Sequence, residues 1–288
     1  MALLLIATLL WAASFGLIKN YLGGLDPNLV AWARMALAAL PLVPLLRWRE
    51  LSLWPGPPRY VALRLVGLGA VQYGLMYTGY IASFRFAAAH EVALFTVTTP
   101  ILVSALLDAY ARRFDPVNLG LAALAVLGAA VLQFRGGGSG AWTAFAVIQA
   151  SNLCFAFGQV AYRRMRRAAP AARDGAVFGW LYLGALLVTT LTTTLSGGWS
   201  DLGDVGAAQA WALLYLGLVA TGLGFFLWNR GAVTAPPAAL AVINNLKIPL
   251  AVAASLTIFG EAADLGRLAL GGGIMIVAAA LAARRGEP

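Results

Sequence analysis

Cysteine, histidine and charged residues are all scarce in this 288-residue sequence. A single cysteine, Cys154, excludes a disulfide within the chain, and a single histidine, His90, excludes a metal site built from Cys and His ligands. The Gly-x-x-x-x-Gly-Lys-Ser/Thr pattern of a phosphate-binding loop is missing as well, which argues against ATP hydrolysis by this chain. We therefore expect no metal, no cofactor and no enzymatic activity.

Apolar residues dominate instead. Hydrophobic residues make up 61% of the chain and charged residues 11%, against roughly 45–50% and 25% in soluble domains. A soluble fold of this size cannot bury so much apolar surface, so we expect an all-α polytopic membrane protein. Apolar runs of about 17–25 residues, separated by Pro- and Gly-rich connections, predict ten transmembrane helices. Their predicted bounds are Ala2–Ile18, Asn28–Leu46, Tyr60–Phe84, Ala87–Ala111, Val117–Phe134, Ala141–Tyr162, Gly175–Leu195, Gln209–Asn229, Pro237–Phe259 and Leu268–Ala283.

The net charge of +9 lies in short arginine clusters between these runs, such as Arg47 with Arg49 and the arginines of residues 163–167. No basic soluble domain is present to carry nucleic-acid binding, so we expect none. By the positive-inside rule the clusters place both termini in the cytoplasm. The first apolar run lacks a positive leading segment and a second run follows at once, so we predict a retained helix rather than a cleaved signal.

The two halves of the chain resemble each other. Residues 67–74 read Gly-Leu-x-Ala-x-x-x-Gly, and residues 217–224 repeat the pattern. Pro100 in the fourth helix has its counterpart in Pro249 in the ninth. These matches divide the chain into a first repeat, 1–136, and a second, 137–288. Because five helices is an odd number, the second repeat crosses the membrane in the opposite sense. Inverted repeats are typical of secondary transporters, although an ancient duplication without a transport role would leave the same pattern.

Several of these residues resemble a known family. The segment Leu-Trp-Ala-Ala-Ser-Phe at residues 10–15, Arg34, the paired prolines and Phe-Gly-Glu at 259–261 are similar to the EamA branch of the drug/metabolite transporter superfamily. The resemblance covers the whole chain, and within that branch it is greatest to the YddG-type amino-acid exporters, known for aromatic amino acids. One departure is that Glu261 has no acidic counterpart in the first repeat, where Arg112 stands.

The resemblance implies a multi-pass protein of the bacterial inner membrane. Helices three, four, eight and nine would line a central cavity, helices one and six would contribute, and helices five and ten would be peripheral. Transport would proceed by alternating access, with Pro100 and Pro249 as kinks at which helices four and nine bend. Static packing kinks are the alternative interpretation of both prolines.

Aromatic and amide side chains supply the first cavity candidates. Tyr73, Tyr77 and Tyr80 recur at helical spacing on one face of helix three, where a phenol needs protein or water rather than lipid. Interfacial anchoring or simple packing is the alternative, above all for Tyr80. Asn152 and Gln159 lie near one face of helix six, as cavity lining or as hydrogen-bonded contacts between helices.

Buried ionisable residues supply the second set, because a charge inside a membrane is costly and is a functional candidate by default. Glu91 is one candidate, with a structural ion pair to Arg34 as its alternative. Lys247 lies about 15 Å into its helix at 1.5 Å per residue, near the midplane. Its neighbours Asn244 and Asn245 and its repeat-mate Thr98 complete the predicted site. Lys247 would pair with a substrate carboxylate or be satisfied by backbone carbonyls freed at the proline kink.

These features predict a secondary transporter that exports amino acids, both aromatic and other small ones. Export of cationic drugs or other small metabolites is the alternative, since Glu91 beside the tyrosines would suit an organic cation. The expected partners are a small-molecule substrate and the lipid bilayer. The sequence leaves the oligomeric state open between a monomer and an oligomer.

Overall fold

The protein is described from a computed structural model, which covers residues 1–110, 112, 116–133, 139–235 and 237–284. Within those ranges the chain forms helices and no β-strand. The α-helices are α1 Ala2–Ala12, α2 Ser14–Tyr21, α3 Pro27–Leu42, α4 Pro58–Gly69, α5 Met76–Ser83, α6 Ala89–Phe95, α7 Thr99–Tyr110, α8 Pro116–Gln133, α9 Ser139–Arg167, α10 Gly179–Ser196, α11 Ala207–Leu214, α12 Gly224–Thr234, α13 Pro237–Thr257 and α14 Leu265–Arg284.

Several of these helices continue one another. Helices α4 and α5 are joined by a π-helical segment, Ala70–Leu75, and α11 and α12 by another, Tyr215–Leu223. Both segments fall on the repeated glycine pattern of residues 67–74 and 217–224. A 3-10 turn, Thr96–Thr98, joins α6 to α7 and ends two residues before Pro100. The interruptions therefore lie inside predicted spans, where the backbone departs from regular α-helix.

By length and composition, five helical segments of the described residues are suited to crossing a membrane: Ala2–Tyr21, Pro27–Leu45, Ala89–Tyr110, Trp142–Arg167 and Ala207–Thr234. A sixth is added if Gly179–Ser196 and Gly198–Asp204, which meet at 91°, are taken as one span. The ten-span arrangement and the position of the termini stay predictions. The predicted helix ends Ala111 and Phe134, and the boundary between 136 and 137, lie outside the described residues.

The surface is apolar and the interior holds many of the polar groups. Large hydrophobic side chains are exposed, among them Trp211 and Leu195, at 73% and 77%. Polar side chains such as Arg34, Gln72 and Asn229 are buried. A lipid solvent favours this distribution, because polar groups in a bilayer must find partners within the protein.

Small residues allow helices α4 and α10 to approach closely. A Cβ atom added to Gly69 would overlap the Leu181 carbonyl, and one added to Gly184 would overlap the Val66 carbonyl. Such small-residue contacts are common between membrane helices. Helices α8 and α14 pack on each other beside a small apolar cluster separate from the main core. This agrees with the peripheral place predicted for helices five and ten.

Polar contacts hold the loops in place at the two ends of the bundle. At the first, which we call the Asp26 end, Asp26 Oδ1 accepts the backbone N–H of Asn28 at 2.9 Å and so begins α3. Asp26 also accepts from Ser196 Oγ at 3.0 Å, which joins the loops after α2 and α10. At the other, the Arg166 end, Arg166 pairs with Asp174 at 2.8 Å. Helix α9 reaches Arg167, beyond the predicted end at Tyr162, because basic side chains favour a helix C-terminus.

Candidate functional site

A cavity of about 70 Å³ lies in the middle of the bundle, between α1, α2, α3, α5, α7, α9, α12 and α13. Ligand pockets are usually about 300–1,000 Å³, so a bound molecule of that class requires the lining to move apart. The lining combines aromatic and apolar walls with a few polar groups. Its residues are Trp11, Ser14, Phe15, Arg34, Met76, Tyr77, Tyr80, Thr96, Thr99, Ser151, Asn152, Phe155, Phe225 and Lys247.

Arg34 is held firmly at one side of the cavity. Its Nε and Nη2 donate to Thr221 Oγ1 at 3.1 and 3.0 Å, and Nη2 also donates to the Tyr77 hydroxyl at 3.0 Å. The guanidinium carbon lies 4.5 Å from the centroid of the Tyr77 ring, a cation–π contact. Nη1 is buried and has no hydrogen-bond partner among the described residues. The guanidinium is thus fixed in place with one donor group unused.

Lys247 supplies the second cation of the lining. Its ammonium donates to Asn244 Oδ1 at 3.1 Å and lies 5.4 Å from the centroid of the Trp11 ring. Both contacts stabilise a positive charge without neutralising it. Aspartate and glutamate are absent from the lining in the part of the chain that the structure describes. Among the described residues, the cavity lining therefore carries two basic side chains and no acid.

The break between α1 and α2 shapes the aromatic wall. The Trp11 indole donates to the Ala220 carbonyl at 2.7 Å, and its ring packs 4.7 Å from the Phe225 ring centroid. Three residues later the chain begins α2 with Ser14, whose hydroxyl is buried and unpartnered among the described residues. The break therefore presents an indole and a hydroxyl to the same cavity.

The turn at Pro100 adds polar groups on another side. Proline removes the hydrogen bond that would reach the Thr96 carbonyl. The Thr99 hydroxyl donates to that carbonyl instead, at 2.7 Å. Asn152 Nδ2 donates to the Phe95 carbonyl at 3.0 Å and to Thr98 Oγ1 at 3.2 Å. The interrupted backbone of α6 and α7 is thus stabilised by side chains that border the cavity.

A profile of the EamA-like transporter family matches residues 1–134 and, a second time, residues 142–284. The chain belongs to this family. It is a small-molecule transporter and a multi-pass protein of a bacterial inner membrane.

Several relatives have been named for a substrate. The chain is 40% identical to a Pseudomonas aeruginosa protein named "Probable biotin transporter" over 278 residues, which cover 96% of this chain and 95% of the relative. It is 34% identical to the "Biotin transporter" of Salmonella typhimurium and 35% identical to that of Escherichia coli K12, each over 91% of this chain and 85% of the relative. These relatives do not confirm the predicted YddG-type subtype.

A solved crystal structure shares the fold. It superimposes on this chain with a TM-score of 0.67 at 21% identity and covers 99% of this chain and 97% of its own. This likeness concerns the fold alone.

Of the residues predicted for the site of this EamA-family protein, Tyr77, Tyr80, Asn152 and Lys247 line the cavity. Substrate contact by these four stays a prediction. Arg34, left outside the predicted site, lies beside Tyr77 in the same lining.

Tyr73 does not line the cavity, contrary to the prediction, because it is fully buried behind it. Its hydroxyl accepts from Asn229 Nδ2 at 2.6 Å, and its ring stacks on Tyr182 at 5.4 Å between centroids. Gln159 is likewise outside the lining, since its Oε1 accepts from the Trp228 indole at 3.4 Å. Both belong to contacts between helices, which was the alternative interpretation for Gln159.

Glu91 is also outside the lining, and the predicted pair with Arg34 does not form. Glu91 Oε2 accepts the backbone N–H of Ala88 at 2.9 Å, as a cap at the start of α6. An acid in the first turn suits the positive end of the helix dipole. An organic cation in the cavity would therefore not meet this carboxylate.

The remaining predicted residues stand behind the lining or away from it. Thr98 donates to Gln149 Oε1 at 2.5 Å, and Asn244 supports Lys247. Asn245 Nδ2 donates weakly to the Val97 carbonyl at 3.4 Å. Pro249 is exposed within α13, which runs unbroken from Pro237 to Thr257, whereas Pro100 follows the 3-10 turn. The gating role of either proline stays a prediction.

Sequence reasoning missed most of the aromatic wall and the hydroxyls. Trp11, Ser14, Phe155 and Phe225 are apolar or small residues within apolar runs, so nothing in their spacing separates them from packing residues. One available signal was the position of Trp11 and Ser14 inside the segment that carries the family resemblance.

Proposed function

We propose that this protein carries biotin, or a small carboxylic acid of similar shape, across the inner membrane by alternating access between two inverted repeats. The names of three relatives that are 34–40% identical support the substrate. The twofold match of the family profile supports the repeats. The small volume of the cavity supports a cycle in which the two halves move apart to admit the ligand.

The observation that carries the proposal is the charge of the cavity lining, which has Arg34 and Lys247 but no acidic residue among those described. Biotin is an anion at neutral pH, with one carboxylate, an apolar chain and a compact fused ring bearing a urea group. Moving a carboxylate out of water is very costly unless cations and hydrogen-bond donors receive it. The aromatic wall around Trp11 and Phe225 suits the apolar remainder.

The same observation disfavours the two predicted alternatives. An amino acid carries an ammonium group as well as a carboxylate, and a cationic drug carries a positive charge. Each would bring a positive charge beside Arg34 and Lys247, and the described lining has no acid to offset the repulsion. The Tyr77 face is already occupied by Arg34, and Glu91 caps α6.

Counterflow in proteoliposomes tests the function directly. Vesicles loaded with unlabelled biotin should accumulate labelled biotin transiently, and excess phenylalanine, tryptophan or tetraphenylphosphonium should not compete. Expression in a biotin auxotroph lacking its own transporter should restore growth at low biotin. Vesicles without protein give the background. Failure of biotin counterflow, with saturable exchange of an amino acid, would return the function to amino-acid transport.

Lys247→Gln tests the charge argument within this function. The substitution keeps much of the side-chain size and removes the charge. A lost charge-assisted contact is worth about 1.5–3 kcal/mol, so biotin counterflow should fall about tenfold or more, and flux of neutral biotinamide about twofold or less. Arg230→Gln removes an exposed cation from α12 and serves as the control. Equal loss for both ligands would make Lys247 a structural residue.

A further inference from the structure

Two polar atoms in the lining are buried without a partner among the described residues, Ser14 Oγ and Arg34 Nη1. Both residues are nearly inaccessible, at 4% and 1% exposed. A buried donor that lacks a partner destabilises the protein, so native structures rarely retain one without a reason. Both residues line the same cavity, which is where a ligand would supply the missing acceptor.

Ser14 is unusual among the cavity hydroxyls. Ser151 donates to the Val147 carbonyl at 3.0 Å, and Thr96 donates to the Ala93 carbonyl at 2.8 Å. These bonds run back along their own helix, as helical Ser and Thr commonly do. The equivalent acceptor for Ser14 is the Leu10 carbonyl, which instead accepts from the Tyr215 hydroxyl at 2.9 Å. The Leu10 carbonyl is therefore bonded by a hydroxyl from a distant helix, and Ser14 Oγ makes no bond back along its own helix.

Arg34 shows a corresponding pattern. Thr221 and Tyr77 use Nε and Nη2 and fix the plane of the guanidinium, while Nη1 keeps its N–H groups for another acceptor. Thr221 is itself held, because its carbonyl accepts from the Tyr182 hydroxyl at 2.8 Å. An arginine keeps its charge in any protein environment, and a preorganised donor loses little freedom when a ligand binds.

We infer that Ser14 and Arg34, with Lys247 as the second cation, form a carboxylate-binding subsite within this cavity. Arg34 Nη1 donates to one carboxylate oxygen, the Ser14 hydroxyl donates to the carboxylate as well, and the Lys247 ammonium balances the remaining charge. The inference rests on the proposed function for the identity of the substrate. The anion specificity itself rests on the unpartnered donors and the absence of an acid from the described lining.

The test compares matched acids and amides in purified, detergent-solubilised protein. Binding of biotin is measured against biotinamide, and binding of octanoate against octanamide, which lacks the biotin ring. The wild type should prefer the acid in each pair by about tenfold or more. Ser14→Ala should lower that preference about threefold to tenfold, and Arg34→Gln should lower it further, to the part that Lys247 supplies. Ser83→Ala is the control, because Ser83 is buried away from the cavity and donates to the Tyr80 carbonyl at 2.7 Å.

The outcomes separate the subsite from the proposed function. If the wild type prefers octanoate over octanamide with the same variant pattern but binds no biotin, the subsite stands and the function fails. If biotin is bound and Ser14→Ala keeps the full acid preference in a folded protein, the subsite is overturned. Arg34→Lys keeps the charge without the planar fork and provides a second variant should Arg34→Gln not fold. An acid preference unchanged in that variant would also count against the assignment.

Discussion

The carboxylate of Glu261 lies 2.8 Å from Nδ1 of His90 and joins the connection after α13 to the first turn of α6. It also accepts the backbone N–H groups of Ala89 and His90, at 2.9 and 3.2 Å, and the Ser255 hydroxyl. An anion at a helix N-terminus satisfies free N–H groups and the helix dipole together. We call these contacts the Glu261 clasp. The clasp must open if the start of α6 and the connection after α13 move apart during transport.

Glu261→Gln should loosen the clasp. Hydrogen bonds to a charged group contribute about 1.5–3 kcal/mol each at most, and part is retained by the amide, so we expect the variant to lose about 1–3 kcal/mol of stability. Thermal unfolding in detergent measures this loss. Asp264→Asn is the control, because Asp264 lies in the same connection and pairs with the partly exposed Arg267. Equal melting temperatures for both variants would contradict a clasp.

The Glu261 carboxyl should stay ionised to well below the usual pH range of a glutamate. Burial by itself would raise the pKa of the Glu261 carboxyl, but hydrogen bonds from His90, Ser255 and two backbone amides outweigh it and lower the pKa from 4.5 to about 2. A lowered acid pKa stabilises the fold fully above pH 4.5, and the stabilisation is lost as pH falls toward 2. The stabilisation from the Glu261 charge should therefore be lost below pH 4.5, so the difference in stability between wild type and Glu261→Gln should be smaller at pH 3 than at pH 5. A difference of the same size at pH 3 and pH 5 would refute this.

Tyr77 in α5 and Tyr73 in the π-helical segment before it should respond differently when their hydroxyls are removed. Tyr77→Phe keeps the ring under Arg34 but loses the 3.0 Å hydrogen bond, so ligand affinity should fall about threefold to tenfold. Tyr73→Phe removes the partner of Asn229 away from the cavity, so it should lower stability by about 1–2 kcal/mol and leave affinity unchanged. Transport kinetics and melting curves on both variants decide this. A loss of affinity in Tyr73→Phe alone would reverse the assignment.

The close approach of α4 and α10 predicts a contrast between two glycines on one helix. Gly69→Ala places a Cβ against the Leu181 backbone and should destabilise the protein by about 1–3 kcal/mol. Gly67→Ala points into open space and should change stability by about 0.5 kcal/mol or less. Thermal unfolding of the two variants compares them directly. Similar stabilities would mean that the two helices pack less closely than described.

Cysteine labelling tests the predicted orientation. In a Cys154→Ala background, Ala171→Cys and Ser200→Cys place single thiols at exposed positions of opposite ends of the bundle. An impermeant thiol reagent should label Ser200→Cys in intact cells and Ala171→Cys only after permeabilisation. The physical reason is the arginine cluster of residues 163–167, which favours the cytoplasm. The reverse pattern would invert the whole topology.

Much of the helical architecture was predictable from the sequence. Apolar run length and the Pro- and Gly-rich connections depend on the chain's local composition, so the predicted segments agree with the helices to within a few residues over most of the described ranges. Of the predicted stripe Tyr73–Tyr77–Tyr80, Tyr77 and Tyr80 line the cavity. Tyr73 does not, because it lies within the π-helical segment Ala70–Leu75, where the wider turn moves side chains off the regular α-helical spacing.

The sequence alone therefore determined that this chain is a helical membrane protein of an EamA-like kind, since composition and local motifs carry that information. The tertiary structure decided which polar groups are satisfied and which are left for a ligand. Arg34 meets Thr221 across 187 residues, and the Leu10 carbonyl accepts from Tyr215 of another helix while Ser14 Oγ has no partner among the described residues. Such pairings depend on how helices pack, and no spacing along the chain encodes them. Glu91, the one acid predicted for the cavity, is a similar case. It accepts the backbone N–H of Ala88 and caps α6, a contact that exists only once the first turn of that helix has formed.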